Sequence, residues 1–210
     1  NLGDAKKAID YYKNALSIDL QVFGDQHPNV AIDYNNLGLA WWNLGDAKKA
    51  IDYYEKALSI DLQVFGDWHP NVAIRYNNIG SAWRILGDAK KAIDYYKNAL
   101  SIDLQVFGDQ HPNVAIDYNN LGLAWANLGD AKKAVYYYEK SLSINLQAFG
   151  DRHSNVAGNY NNLGAAWLNL GDVKKAVDYY EKSLAILTNV YGPDHPSTKK
   201  VRDNLSTMKK

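Results

Sequence analysis

Five histidines, His27, His69, His111, His153 and His195, recur every 42 residues, and the first four follow an aspartate two places earlier (Asp25, Asp67, Asp109 and Asp151). Histidine beside a carboxylate can ligate a metal or move a proton, so these pairs come first. A metal needs its ligands to converge at about 2 Å from one ion. Side chains that repeat in lockstep with a structural period land on successive copies of the unit and cannot converge. Acid–base work needs a nucleophile or an oxyanion donor nearby, and none repeats beside these pairs. Neither G-x-G-x-x-G nor G-x-x-x-x-G-K-[ST] occurs, so the Gly-Asp steps make no phosphate loop. The expectation is no catalytic residue, no metal, no cofactor and no enzyme. Each histidine precedes a predicted helix start and reads as a brace of the connection.

Asparagine pairs recur with the same period: Asn35-Asn36, Asn77-Asn78, Asn119-Asn120 and Asn161-Asn162. Asparagine is a middling helix former with its own turn preferences, so a pair in mid-helix is locally unfavourable. A carboxamide offers both donors and an acceptor. A ladder of them can hydrogen-bond the successive amides of an extended peptide. The plainer reading is that they brace neighbouring helices, and both stay open at this stage.

Composition narrows the partner. Lysine plus arginine equals aspartate plus glutamate, at 23 each in 210 residues, which gives no support to nucleic-acid binding, whose affinity comes largely from phosphate neutralisation. No apolar run approaches the roughly 18 residues of a membrane span, and Asn1-Leu2-Gly3-Asp4 does not begin a signal peptide. Cysteine is absent. That excludes disulfides and cysteine-ligated metals and fits a reducing compartment, so the expected location is cytoplasmic. The sixteen tyrosines and six tryptophans fall mostly at helical spacing and read as core, with Tyr11, Tyr53, Tyr95 and Tyr137 lining the wall between units.

The elements that must position these side chains follow from the repeat. Val30, Tyr34, Leu37, Trp41 and Leu44 fall at steps of four and three, the spacing of one helical stripe. Pro28 suits a first helical position. Gly45 can take the left-handed conformation that stops a helix, and Asp46 can cap the next. Ala47, Ala50, Ile51, Tyr54, Ala57, Leu58, Leu62 and Phe65 then form a second stripe, which Gly66 closes. Gly38, Ala50 and Ala57 are small where the two helices approach. Lys48, Lys49, Asp52, Glu55 and Lys56 occupy the opposite face and read as solvated. No strands are expected.

Tyr34-x-x-Leu37-Gly38-x-x-Trp41, followed by Gly45, Ala50, Tyr54 and Ala57, resembles the tetratricopeptide (TPR) pattern, W-x-x-L-G-x-x-Y followed by A, F and A. The 42-residue period, with Gly-Asp-x-His-Pro in the connection and Asn-Asn-Leu-Gly in the first helix, resembles the kinesin light chain subgroup. The resemblance covers essentially the whole chain. It implies an all-α fold: an α-solenoid of stacked helix-turn-helix repeats forming a right-handed superhelix, with first helices on the inner wall. The expected divisions are one TPR array over 1–210: an orphan second helix at 1–24, full repeats at 27–66, 69–108, 111–150 and 153–192, and a capping helix at 195–210.

The resemblance also implies which residues face a ligand. They are Ile32, Asn35, Asn36, Leu39, Trp42 and Asn43; then Ile74, Asn77, Asn78, Ser81, Arg84 and Ile85; then Ile116, Asn119, Asn120, Leu123, Ala126 and Asn127. The last repeat supplies Gly158, Asn159, Asn161, Asn162, Ala165, Leu168 and Asn169. Trp42, Arg84, Ala126 and Leu168 share one equivalent place and differ, as do Leu39, Ser81, Leu123 and Ala165. Differences gathered on the wall would make the ligand selective. Relatives that grip acidic peptides use several basic residues there. This wall is expected to carry only Arg75 and Arg84, so the expected ligand has apolar or aromatic anchors and one acidic residue near Arg84.

The expected function is therefore a protein–protein interaction scaffold that binds an extended peptide or partner segment in a concave groove, with no nucleic-acid or membrane partner. The alternative is a structural array that stacks head to tail into homo-oligomers through its uncapped first helix. The chain opens at the equivalent of 43–46, which is expected of a piece cut from a longer array or of an end covered by a second copy. Residues 2–41 and 86–125 are identical, as recent duplication or design would leave them. The other end, with Lys199, Lys200, Lys209 and Lys210 around Val201, Leu205 and Met208, is expected to turn a polar face to water.

Overall fold

The computed structural model describes residues 2–208, and side chains from 6 onward; Asn1, Lys209 and Lys210 lie outside the described residues. Every element among them is an α-helix. Residues 1–106 form one compact unit and 107–210 a second. In the first, α1 (Leu2–Phe23), α2 (Pro28–Asn43), α3 (Ala47–Phe65), α4 (Pro70–Ile85) and α5 (Ala89–Phe107) follow in order, and from α1 to α4 each helix packs on the next. In the second, α6 (Pro112–Asn127), α7 (Ala131–Phe149), α8 (Ser154–Asn169), α9 (Val173–Tyr191) and α10 (Pro196–Met208) do the same.

The helices end where the sequence says they must. At Leu44-Gly45-Asp46 the Gly45 amide donates to Trp42 O at 2.9 Å and the Asp46 amide to Trp41 O at 3.0 Å. This paired closure requires a left-handed residue, and Gly45 sits at φ +82°. Asp46 then turns its carboxylate onto the Lys49 amide at 3.1 Å and caps α3. That bond, with help from the Lys49 ammonium, holds the Asp46 carboxyl below its ordinary range. The same closure returns at Asp88, Asp130 and Asp172.

The core clusters of the first unit draw on three or more consecutive helices. Val30 and Ala31 of α2 meet Ala57 and Ile60 of α3 and Leu16 and Leu20 of α1. One repeat later, Val72 and Ala73 of α4 meet Ala99 and Ile102 of α5 and Leu58 and Leu62 of α3. Full burial of one such aliphatic side chain contributes about 1.5–3 kcal/mol. No pair of helices closes its own core, which is why the unit is a stack. Gly38 shows how close the axes come: a Cβ there would lie 2.5 Å from the Tyr54 ring.

One buried position carries a different chemistry in different repeats. Arg75 of α4, 5 % exposed, donates to Asp61 of α3 at 2.9 Å. Asn159 of α8 accepts from Asn145 of α7 at 2.6 Å and donates to Ser141 at 2.9 Å. The equivalent Asp33 of α2 faces another acid, Asp19 of α1, and its Oδ2 is buried without a hydrogen-bond partner. Burial, then the Asp19 charge, lifts the Asp33 carboxyl above its ordinary range.

A raised carboxylate has a definite sign: the folded state binds the proton more readily than the unfolded one. Its stabilising contribution is therefore complete below the unfolded value and lost as pH rises through the folded one. Asp33→Asn, which installs the carboxamide that α8 already uses, should raise the melting midpoint near pH 7. The gain over the parent should shrink toward pH 4. A variant that melts lower than the parent near pH 7 would contradict this.

Candidate functional site

The connections fix how the first helices enter. His27 Nδ1 accepts the Asn29 amide at 3.2 Å, so histidine is the N-cap, with Pro28 in the first turn. The imidazole also stacks on Phe23 at the end of the preceding helix, with centroids 4.4 Å apart. His69, His111, His153 and His195 repeat both contacts. The histidines brace connections. Among the described residues no group of three or more histidines, cysteines, aspartates and glutamates comes together as metal ligands do.

The exits are fixed by a second recurring brace. Lys49 Nζ lies 4.0 Å from the Trp41 ring centroid and 3.0 Å from Asp46. A cation over an indole face contributes about 0.5–1 kcal/mol at an exposed site. Lys91 on Trp83, Lys133 on Trp125 and Lys175 on Trp167 do the same. The periodic lysines therefore have a structural role in addition to facing water.

In the first unit the helices α2 and α4 present one face together. Ile32, Leu39 and Ile74 are about half exposed on it, at 49, 47 and 47 %. Asn35, Asn36, Asn77 and Asn78 lie half-buried beside them, and Asn78 donates to Asn35 at 2.9 Å. Leu39, Trp42, Asn78 and Ser81 join Tyr54 of α3 around a cavity of about 160 Å³. Burial pushes the Tyr54 phenol up to about 12, so it stays neutral. Ser81 bonds the Tyr96 hydroxyl at 3.0 Å. Arg84 is half-buried beside them, and its charge opposes the rise that burial imposes on Tyr96.

In the second unit α6 and α8 repeat the pattern with other residues. Ile116 is 53 % exposed, and Asn162 donates to Asn119 at 2.9 Å. Asn204 of α10 reaches Asn161 at 3.4 Å. Where Ile32, Ile74 and Ile116 stand elsewhere, α8 has Gly158. A cavity of about 290 Å³ opens there between α6, α7 and α8, lined by Ile116, Asn119, Asn162 and Gly158 above Ser141, Asn145 and Asn159.

Two residues expected on the wall are not on it. Arg75 is buried in its ion pair with Asp61, because position 75 turns toward the preceding second helix while Ile74 turns outward. Asn159 follows Gly158 in the same way and is 2 % exposed. Arg84 is therefore the one basic side chain of the α2–α4 face. Asn127, at the end of α6, is exposed. Asn169 lies in a shallow cavity at the α6–α7 turn, apart from Asn161 and Asn162. Leu123 is half-buried against the cluster around Leu163. Asn120, with Asn77, makes interactions of its own. Reading first helices alone missed Tyr54, Ser141 and Asn145, which reach the cavities from second helices; Ser141 and Asn145 were signalled by standing where Ala57 and Asp61 stand earlier, whereas Tyr54 recurs as tyrosine in every repeat and carried no such signal.

No helix among the described residues is long and apolar enough to cross a membrane. A search of curated proteins found no significant match. Among solved structures, BtubC (BKLC) from P. vanneervenii superposes with a TM-score of 0.78 at 22 % identity, covering 99 % of this chain and 81 % of that one. A Podosopora anserina putative kinesin light chain with nearly identical TPR-like repeats gives 0.75 at 18 %, covering 90 % of each. MamA gives 0.59 at 26 %, covering 90 % of this chain and 87 % of that one. The tetratricopeptide repeat family matches residues 1–63, 39–100, 71–147, 118–186 and 155–209. With these matches running along its length and its helices packed in sequence as helix-turn-helix units, the chain belongs to the tetratricopeptide repeat family, whose members generally serve as protein-interaction scaffolds and are typically non-catalytic.

Proposed function

We propose that the first helices bind an extended peptide or partner segment, apolar side chains against the isoleucines and main chain against the asparagines. One observation carries this reading. Half-exposed Ile32, Leu39 and Ile74 are interleaved on a single face with half-buried carboxamides, Asp33 of α2 is buried beneath it, and the lysines of this unit are kept to α1, α3 and α5. Apolar side chains gathered at one surface favour a partner that covers them. Carboxamides that already bond one another retain further donors and lone pairs, and they can receive a peptide amide without the cost of burying a charge. Arg84 favours one acidic residue in the ligand. A concave binding face within each unit and a cytoplasmic setting are part of this proposal.

The test is a fluorescence titration with peptides selected for apolar anchors. Leu39→Asp or Ile74→Asp should weaken binding by about tenfold or more, the scale of a central contact. Lys48→Ala, on the outer face, should leave it unchanged. Asn78→Ala combined with Asn120→Ala should also weaken binding; unchanged affinity in that pair would remove the ladder from the account.

A second reading has its own observation. On α1, Tyr11, Ile18 and Val22 are 73, 59 and 64 % exposed, whereas Ile60 and Ile102, the counterparts of Ile18, are each 4 % exposed. Head-to-tail stacking through α1 would cover them. Light scattering separates the readings: mass that grows with concentration supports stacking, and a constant monomer supports the peptide scaffold.

A further inference from the structure

Among the described residues Gly158 is the one mid-helix glycine that no packing contact explains. At Gly38, Gly80, Gly122 and Gly164 a Cβ would stand 2.5–3.0 Å from a tyrosine ring; at Gly158 it would meet nothing within 4 Å. Glycine weakens a helix interior, and nothing inside the fold repays that here. What glycine provides at this place is space. The cavity of about 290 Å³ lies on one side of α8, and a second, of about 380 Å³, lies on the other; Gly158, Ser154 and Asn155 border both. Ser154 stands where the other repeats have Pro28, Pro70 and Pro112, and Gly158 where they have isoleucine.

The floor of the first cavity is also chemically distinct. Ser141 donates to Ala115 O at 2.6 Å and accepts from Asn159, which in turn accepts from Asn145. Three neutral polar side chains thus hold one another in place beneath the opening, and Asn119 and Asn162 stand at its rim. No charged residue lines it. A charged occupant would lose its hydration with no counter-charge to meet it, and a purely apolar one would cover polar groups without bonding them. The complementary group is neutral and both donates and accepts. The second cavity differs, having Lys200 as its one charged lining residue and Ala157, Leu187 and Val201 as aliphatic ones.

We propose that Gly158 opens a specificity pocket for a glutamine or asparagine side chain of the bound peptide. The ligand main chain crosses α8 over the bare glycine, and an acidic residue further along lies toward Lys200. This rests on the peptide-binding reading above and adds to it which side chain the second unit selects.

The probe is a scanning library of blocked hexapeptides, each position fixed in turn, read by fluorescence polarisation on the full chain. Expected is a preference for Gln or Asn at one position and for Asp or Glu two to four positions away. Gly158→Ile, which restores the residue of the other repeats and favours the helix, should fold and melt no lower than the parent while losing the carboxamide preference about tenfold. Lys200→Ala should lose only the acidic preference. A carboxamide preference that is absent, or that survives Gly158→Ile, overturns the pocket. If hexapeptides bind with dependence on Leu39 and Ile74 but without that preference, the pocket alone falls. If none binds, the peptide-binding reading falls with it.

Discussion

Replacing Arg75 by alanine is expected to cost about 3–5 kcal/mol, the scale seen when one partner of a buried ion pair is removed. Arg75 and Asp61 are 7 and 1 % exposed at their side chains and 2.9 Å apart. Burial lifts the Asp61 carboxyl above its ordinary range, against the pull of Arg75 and, more weakly, of His69. Without the guanidinium the charge would be stranded between α3 and α4. Two consequences distinguish this from loss of packing. Arg75→Ala should recover part of its stability on acidification, because a protonated Asp61 no longer needs a counter-charge. Combining Arg75→Asn with Asp61→Asn, the pairing that α8 and α7 already use, should restore most of the loss. Denaturant titration of the two variants beside the parent measures both, and an alanine variant as stable as the parent would show that the pair contributes no stability.

The second large effect comes from two glycines in one unit that should respond with opposite signs. A Cβ on Gly122 would lie 2.5 Å from the Tyr138 ring, which is itself 2 % exposed. The ring has nowhere to go, so α6 and α7 must separate. Gly122→Ala should cost about 1–3 kcal/mol through overpacking, more than the propensity gain of about 1 kcal/mol from leaving glycine. Gly158→Ala meets no obstacle and should gain about 0.5–1 kcal/mol. Thermal melts of both variants, with amide exchange across α6–α7, provide the check. Equal signs would mean that the α6–α7 approach is looser than its geometry indicates.

The fold was readable because each local signal acts alone. Leu-Gly-Asp stops one helix and caps the next, His-Pro opens the one after, and the stripes between leave no other partner than the neighbouring helix. The site was less readable, for an equally physical reason. Arg75 and Asn159 looked like wall residues because they are polar and follow wall residues, yet one step along a helix turns a side chain by about 100°. Only the partners fourteen residues earlier, Asp61 and Asn145, explain why they can be buried. The asparagine pairs were visible as a pattern, whereas their bonds from one first helix to the next depend on the distance between helices. Likewise Gly158 was visible as a substitution, but the cavity behind it depends on side chains of α7 that no reading of first helices could supply.

First helices are expected to carry most of the ligand contact, with second helices supplying only the floors of the cavities. Amide hydrogen exchange of the full chain with and without a selected peptide tests it most directly. Slowed exchange on binding should concentrate in α2, α4, α6 and α8, around the asparagine pairs. Protection confined to α3, α5, α7 and α9, with those first helices unchanged, would contradict it.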